Sequence, residues 1–403
     1  MLSDFLRYLA LGLLVGLLFL NVPLWAVPPG LTFKKIVLTD RYYCDGIDAA
    51  DIDGDGKMDV VAGPFWYQGP EFRKAREIYR AVPLRPEVSP SNSMFSFVHD
   101  FNRDGRPDVL VLGRVHKHAA VWYENPNGQA GLWKRHFAFE RIRGESPTLV
   151  DLNGNGSPQL VCHWEGRWGW VEPQHKQPTK PWNFQAVGNN ESWNKFYHGT
   201  GVGDVDGDGR LDLLINDGWY QQPAKGKQPW SFHRDKFSQG RGGAQMFAYD
   251  VDHDGDQDII TALDGHGWGL AWFEQTTENG KRRFLQHTIM GNRSEQAKYG
   301  VAFSQPHALA LADLDGDGLQ DIVVGKRRWA HGPKGDVEPN ADPVLYWFRL
   351  TRTDGKVKYT AHRIDSQSGV GVQITAKDVN GDGAIDILTA SKLGSFVFLN
   401  QRP

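Results

Sequence analysis

Seven times in 403 residues this chain sets oxygen-bearing side chains at positions 1, 3, 5 and 9 of a short loop. The clearest copy is Asp204-Val205-Asp206-Gly207-Asp208-Gly209-Arg210-Leu211-Asp212. Four carboxylates in one turn repel each other unless a hard cation takes them as ligands, and Gly207 and Gly209 permit the tight curl. Calcium, with six to eight oxygens at about 2.3–2.6 Å, suits such a loop best. Asp51, Asp53, Asp55 and Asp59 repeat the pattern, as do Asp250, Asp252, Asp254, Asp258 and Asp313, Asp315, Asp317, Asp321. Two copies carry asparagine at position 3: Asp100, Asn102, Asp104, Asp108 and Asp378, Asn380, Asp382, Asp386. The seventh, Asp151, Asn153, Asn155 and Gln159, keeps one carboxylate and is expected to be a metal-free turn.

An EF-hand starts the same way but needs a bidentate Glu at position 12 and a helix on each side. Position 12 here is Ala62, Val111, Ile215, Thr261, Val324 or Thr389, and runs such as Ile322-Val323-Val324 are strand-like. The EF-hand is excluded.

The loops begin at 51, 100, 151, 204, 250, 313 and 378, a period of 46 to 65 residues. Repeats of that length holding several short strands predict a propeller. One strand leads into each loop and a second leaves it. A third is aromatic, as in Trp122-Tyr123, Trp219-Tyr220 and Tyr346-Trp347-Phe348, and a fourth is amphipathic, as in Trp133 to Phe137. The ordered part begins with Phe33 to Leu38, a fourth strand, and stops after the third strand Phe396 to Asn400. The expected fold is therefore all-β: a seven-bladed β-propeller of four-stranded blades over 33–403, its ring closed by the N-terminal strand in the last blade.

These Asp-x-Asp-x-Asp-Gly-x-x-Asp loops followed by apolar strands resemble the FG-GAP/VCBS repeats of integrin α-type propellers. The resemblance covers roughly 33–400 and implies the fold and bound calcium. It leaves function open, because propellers of this kind serve as adhesion modules, lectin-like proteins and enzymes.

Residues 1–26 read as a signal peptide: Arg7, an apolar run from Leu9 to Leu20, and Ala26 at the cleavage point. The expected product is exported, secreted or periplasmic, with a membrane link only if that segment stays uncleaved. A net charge of −3 gives no basic footprint for nucleic acid. Two cysteines, Cys44 and Cys162, are too few for a disulfide framework, and their pairing is open.

Six residues before each loop stand Asp45, Met94, Glu145, His198, Ala244, His307 and Val372. Ring symmetry would gather these strand starts around the axis. Asp45, Glu145, His198 and His307 are thus candidate ligands of a transition metal, Zn²⁺ or Mn²⁺ among them. Loops on the same face add His163 and His266 as candidate bases and Lys326 as a further catalytic candidate. Arg114, Asp217, Trp219, Asp264, Trp268, Arg327 and Trp329 are candidate substrate contacts, since aromatic faces beside polar groups suit sugars. The stretch His198-Gly199-Thr200-Gly201 with Gly218-Trp219-Tyr220 is similar to the propeller of fungal aldos-2-ulose dehydratases. That similarity implies metal-assisted loss of water from keto-sugars. Two functions follow as alternatives: a metal-dependent carbohydrate lyase or dehydratase, and a non-catalytic propeller binding a carbohydrate or protein ligand on the face opposite the calcium loops. A third is a purely structural secreted module.

Overall fold

The computed structural model describes residues 31–87, 93–113, 119–174, 176–194, 196–224, 229–238 and 242–402. The chain divides into units 1–31 and 32–403. The expected signal peptide lies outside the described residues. Among the described residues, no helix is long and apolar enough to cross a membrane.

Among the described residues the second unit is β apart from one short helical stretch, Arg293–Glu295 and Gln296–Tyr299. It forms five antiparallel four-stranded sheets and one eight-stranded sheet. In one repeat Phe95–His99 enters the acidic loop, Asp108–Leu112 leaves it, and Ala120–Glu124 and Lys134–Phe139 complete the sheet. The second strand is buried along its whole length, which is why it reads as an unbroken apolar run. Its alternate residues serve two cores. Leu110 and Leu112 pack with Leu160 and Cys162 of the following repeat. Val109 and Val111 pack with Val61 and Trp66 of the preceding one. The sheets therefore stack face to face as propeller blades.

The eight-stranded sheet arises where Thr200–Gly203 and Gln245–Tyr249 run in parallel, each carrying its own three antiparallel partners. A Cβ at Gly201 would lie 1.9 Å from the Met246 carbonyl oxygen, so only glycine allows that approach. The last sheet takes its fourth strand from the other end of the chain: Phe33–Thr39 pairs antiparallel with Gly394–Asn400, Phe33 opposite Asn400.

Each acidic loop is tied by its own carboxylates. Asp51 accepts the amides of Gly54, Asp55 and Gly56. The position-9 carboxylate is buried and accepts one amide from position 2 and one from the end of the third strand. Asp59 thus holds Ile52 and Gly69, and Asp212 holds Val205 and Gln222. Burial raises the Asp108, Asp212 and Asp258 carboxyls to about 7. In the degraded loop Gln159 Oε1 accepts the Leu152 amide at 2.8 Å, so a neutral amide keeps that tie without the charge.

The third and fourth strands share a second repeated device. Trp122, Trp219, Trp272 and Trp347 each stack on an imidazole directly across the sheet, at 4.2 to 4.7 Å, from His136, His233, His287 and His362. Trp219, expected to meet substrate, is 1% exposed and packs the blade instead. Trp219→Ala should cost about 3–5 kcal/mol, as for a buried aromatic, and a urea titration measures it. A loss below about 1 kcal/mol would return Trp219 to the ligand contacts.

Candidate metal centre

Three consecutive sheet units and the next one deliver a side chain each to one point. Glu145 lies in strand Arg143–Val150, and His198 stands just ahead of Thr200–Gly203. His266 follows strand Asp258–Ala262, and His307 is the second residue of Pro306–Ala312. Backbone bonds fix their spacing: Glu145 N–H to Tyr197 O at 2.9 Å, and Gly265 N–H to Gly242 O at 3.1 Å. Gly242 has φ +91°, and a Cβ there would lie 2.4 Å from the His198 carbonyl oxygen. No side chain fits between these turns.

One ligand atom from each of Glu145, His198, His266 and His307 lies within 4.8 Å of the others. His198 Nε2 is 3.2 Å from His266 Nε2. Glu145 Oε2 is 3.7 Å from His198 Nε2 and 3.8 Å from His307 Nε2. Nitrogens bound at 2.0–2.1 Å around a tetrahedral ion stand roughly 3.3 Å apart, so the spacing fits one metal. The donor chemistry fits as well. Burial drives His307 well below the usual imidazole range, with Arg327 adding to the effect, and lowers His266 to about 4. Both are neutral at pH 7, as ligands must be. Asp336 Oδ1 sits 3.3 Å from His266 Nδ1. That carboxylate stands close enough to act electrostatically on the Nδ1 edge of the ring, without a hydrogen bond to it.

Asp45, expected as a fourth ligand, lies outside this group. Its Oδ2 accepts from Arg327 Nη2 at 3.1 Å and from the Tyr42 hydroxyl at 3.2 Å. Arg327 Nη1 in turn lies 3.2 Å from His307 Nε2 and 3.8 Å from Glu145 Oε2. The residue expected to bind substrate is thus a buried cation at the rim of the cluster, 3% exposed. Burial raises the Asp45 carboxyl, against the pull of Arg327. His266, expected as a base, stands with the ligands.

The other candidates scatter. His163 is fully buried against Trp168, 5.1 Å between rings, and burial lowers it to about 4. Lys326 donates to Ser304 Oγ at 2.7 Å, and burial lowers it to about 8. Burial also raises the half-buried Asp217, while Asp264 is exposed and accepts the His266 amide. The Arg293 guanidinium lies 5.4 Å over Trp268, and Trp329 donates to Asn340 Oδ1 at 2.8 Å. Arg114 falls outside the described residues.

Sequence reasoning missed Asp336, whose carboxylate also holds His331 Nδ1 at 2.9 Å. His331 stacks on His266 at 4.6 Å. Both lie in the stretch that lengthens the repeat between the loops at 313 and 378. That excess length was the available signal. Acidic-loop groups that could hold a cation include Asp51, Asp53, Asp59 and Asp204, Asp206, Asp212.

A β-propeller assembled from acidic-loop repeats, with a three-histidine, one-carboxylate cluster gathered from strand starts and one loop, is the class this geometry defines. The FG-GAP-like repeat model matches residues 100–162, 204–261, 250–324 and 313–389. The chain belongs to that family. No curated protein matches it by sequence. Among solved structures it is similar to the rhamnogalacturonan lyase YesW at 12% identity and TM-score 0.47, covering 92% of this chain and 73% of that one. The exotype rhamnogalacturonan lyase YesX gives 11%, 0.46, 94% and 75%. A luciferin-regenerating enzyme gives 11%, 0.40, 73% and 88%. At these identities the likeness concerns fold alone.

Proposed function

We propose that this is an exported, calcium-stabilised propeller whose Glu145–His198–His266–His307 cluster holds a divalent transition metal and eliminates water or a sugar from a carbohydrate. The convergence of those four side chains from four repeats carries the proposal. When bound with a coordination position left beyond the four donors, the metal would polarise a substrate oxygen and favour loss of a proton from the neighbouring carbon. The chain supplies the rest. Asp336 orients His266 and also holds His331, whose side chain is 61% exposed and placed to carry a proton between the cluster and solvent. Arg327 offsets negative charge that develops beside Glu145. Four donors gathered within 4.8 Å of one another favour this reading over a passive binding platform, which would need no such convergence.

We also infer seven blades in a closed ring. The eight-stranded sheet counts as two blades, and the pairing of Phe33–Thr39 with Gly394–Asn400 supplies the closing strand.

The test is metal analysis after mild calcium chelation, with keto- and uronic-sugar substrates followed by NMR for loss of water or of a sugar residue. A protein without transition metal and without turnover would leave binding as the function. Calcium is tested apart from this. Excess chelator should lower Tm markedly, since a ligand held only by the folded state stabilises it by mass action. Asp206→Ala should lower Tm more than Asn153→Ala, and an unchanged curve in chelator would refute the calcium sites.

A further inference from the structure

His266 has donors on both edges of its ring. One ligand atom from each of His266, His331 and Asp336 lies within 4.8 Å of the others, a second group beside the four-residue cluster. We propose that this group holds a second divalent ion, so that His266 stands between two metals, Nε2 toward the cluster and Nδ1 toward the new site. Such an ion goes beyond the single metal proposed above and stands independently of it.

The two edges are told apart by distance. His266 Nε2 is 3.2 Å from His198 Nε2, inside the cluster, whereas its Nδ1 is 3.3 Å from Asp336 Oδ1. That oxygen is in turn 2.9 Å from His331 Nδ1. Both separations are close to the roughly 3.3 Å between donors bound at 2.0–2.1 Å to one tetrahedral ion. A hydrogen bond between His331 and Asp336 would explain their contact by itself, but it leaves His266 Nδ1 unanswered. This nitrogen is buried and makes no hydrogen bond, a cost that an ion at that edge removes. A turn folded on itself brings the carboxylate there. Asp336 Oδ2 accepts the His331 amide at 3.0 Å, and the Asp336 backbone has φ +58°, where non-glycine residues are uncommon. Two imidazoles and a carboxylate form the donor set of an open zinc site, whose fourth position is left to water or substrate. The His331 side chain is 61% exposed, so the site can be reached from solvent. His331 would bind through Nδ1, which leaves Nε2 for the proton transfer given to it above. With both sites filled, His266 releases its ring proton to solvent, because a neutral imidazole has only one bare nitrogen.

Equilibrium dialysis of the full chain against Zn²⁺, in excess Ca²⁺ to occupy the acidic loops, tests this. Wild type should take up two zinc ions per chain, and mild chelation should remove the weaker one. His331→Ala should weaken that ion at least about tenfold, since a lost ligand costs no less than a lost outer partner, and should keep the tighter ion and the metal-free Tm. Asp336→Asn should also lose the weaker ion. The His198→Ala, His307→Ala double variant should still take up one zinc, now sensitive to His331→Ala. Equal zinc uptake by wild type and His331→Ala, or a single zinc that depends on His198 and His307, would overturn the proposal. A single zinc that His331→Ala removes and the double variant keeps refutes the four-residue centre and leaves the second site standing.

Discussion

Replacing His198 and His307 together by alanine is expected to strip the protein of the proposed transition metal and abolish the proposed turnover, while calcium proposed for the acidic loops is retained. The pair leaves Glu145 and His266, two ligands where a closed tetrahedral site uses four and a catalytic one three. Elemental analysis after mild calcium chelation reads the result directly: about one transition metal per wild-type chain and none in the double variant. Both rings are buried, at 1% and 0% exposure, so alanine also opens a void. His266→Ala is the gentler companion, because its side chain is 20% exposed. Asp336→Asn extends the test outward. A carboxylate behind a ligating imidazole is worth about 10–100-fold in metal affinity, and the amide should lose that much without altering Tm. Metal content equal to wild type in all three variants would mean that the four side chains are structural.

The acidic loops and the strand order were legible because each repeats a local rule: carboxylates at fixed offsets, a buried apolar strand, an aromatic strand. Glu145, His198 and His307 were legible for the same reason, since one repeat position gathers them. What the sequence did not show depended on side-chain direction. Asp45 occupies the same repeat position, yet it is drawn to Arg327 and Tyr42 rather than to the histidines. His266 enters from a loop with no fixed offset, through the turn that Gly242 and Gly265 allow. Trp219 reads as a ligand surface because it lies among polar loop residues, and only the cross-strand register brings His233 over its ring. Asp336 belongs to no repeat position at all.

Deleting Phe33–Thr39 should unfold or aggregate the protein. The strand pairs along Gly394–Asn400, whose backbone would otherwise present a row of unpaired donors and acceptors, and an open edge of that kind invites association with other chains. Its side chains also join the two ends of the fold. Ile36 and Leu38 pack on a cluster holding Ile47 and Val60 of the first repeat together with Leu388 and Val397 of the last. Lys35 pairs with Asp365 at 2.9 Å and lies 4.6 Å over the Phe396 ring. Removing all of these at once exceeds what a marginally stable domain, with about 5–15 kcal/mol in total, tolerates. A graded series keeps the test readable if the deletion yields no soluble protein. Ile36→Ala should cost about 2 kcal/mol, the low end for a half-buried aliphatic, whereas the exposed Lys34 and Val37 should tolerate alanine with less than about 0.5 kcal/mol. Separate addition of a peptide spanning 33–39 to the truncated chain should restore part of the lost Tm. A truncated protein as soluble and as stable as the full chain would show that the strand is a leader laid on the surface, and that the last sheet holds with three strands.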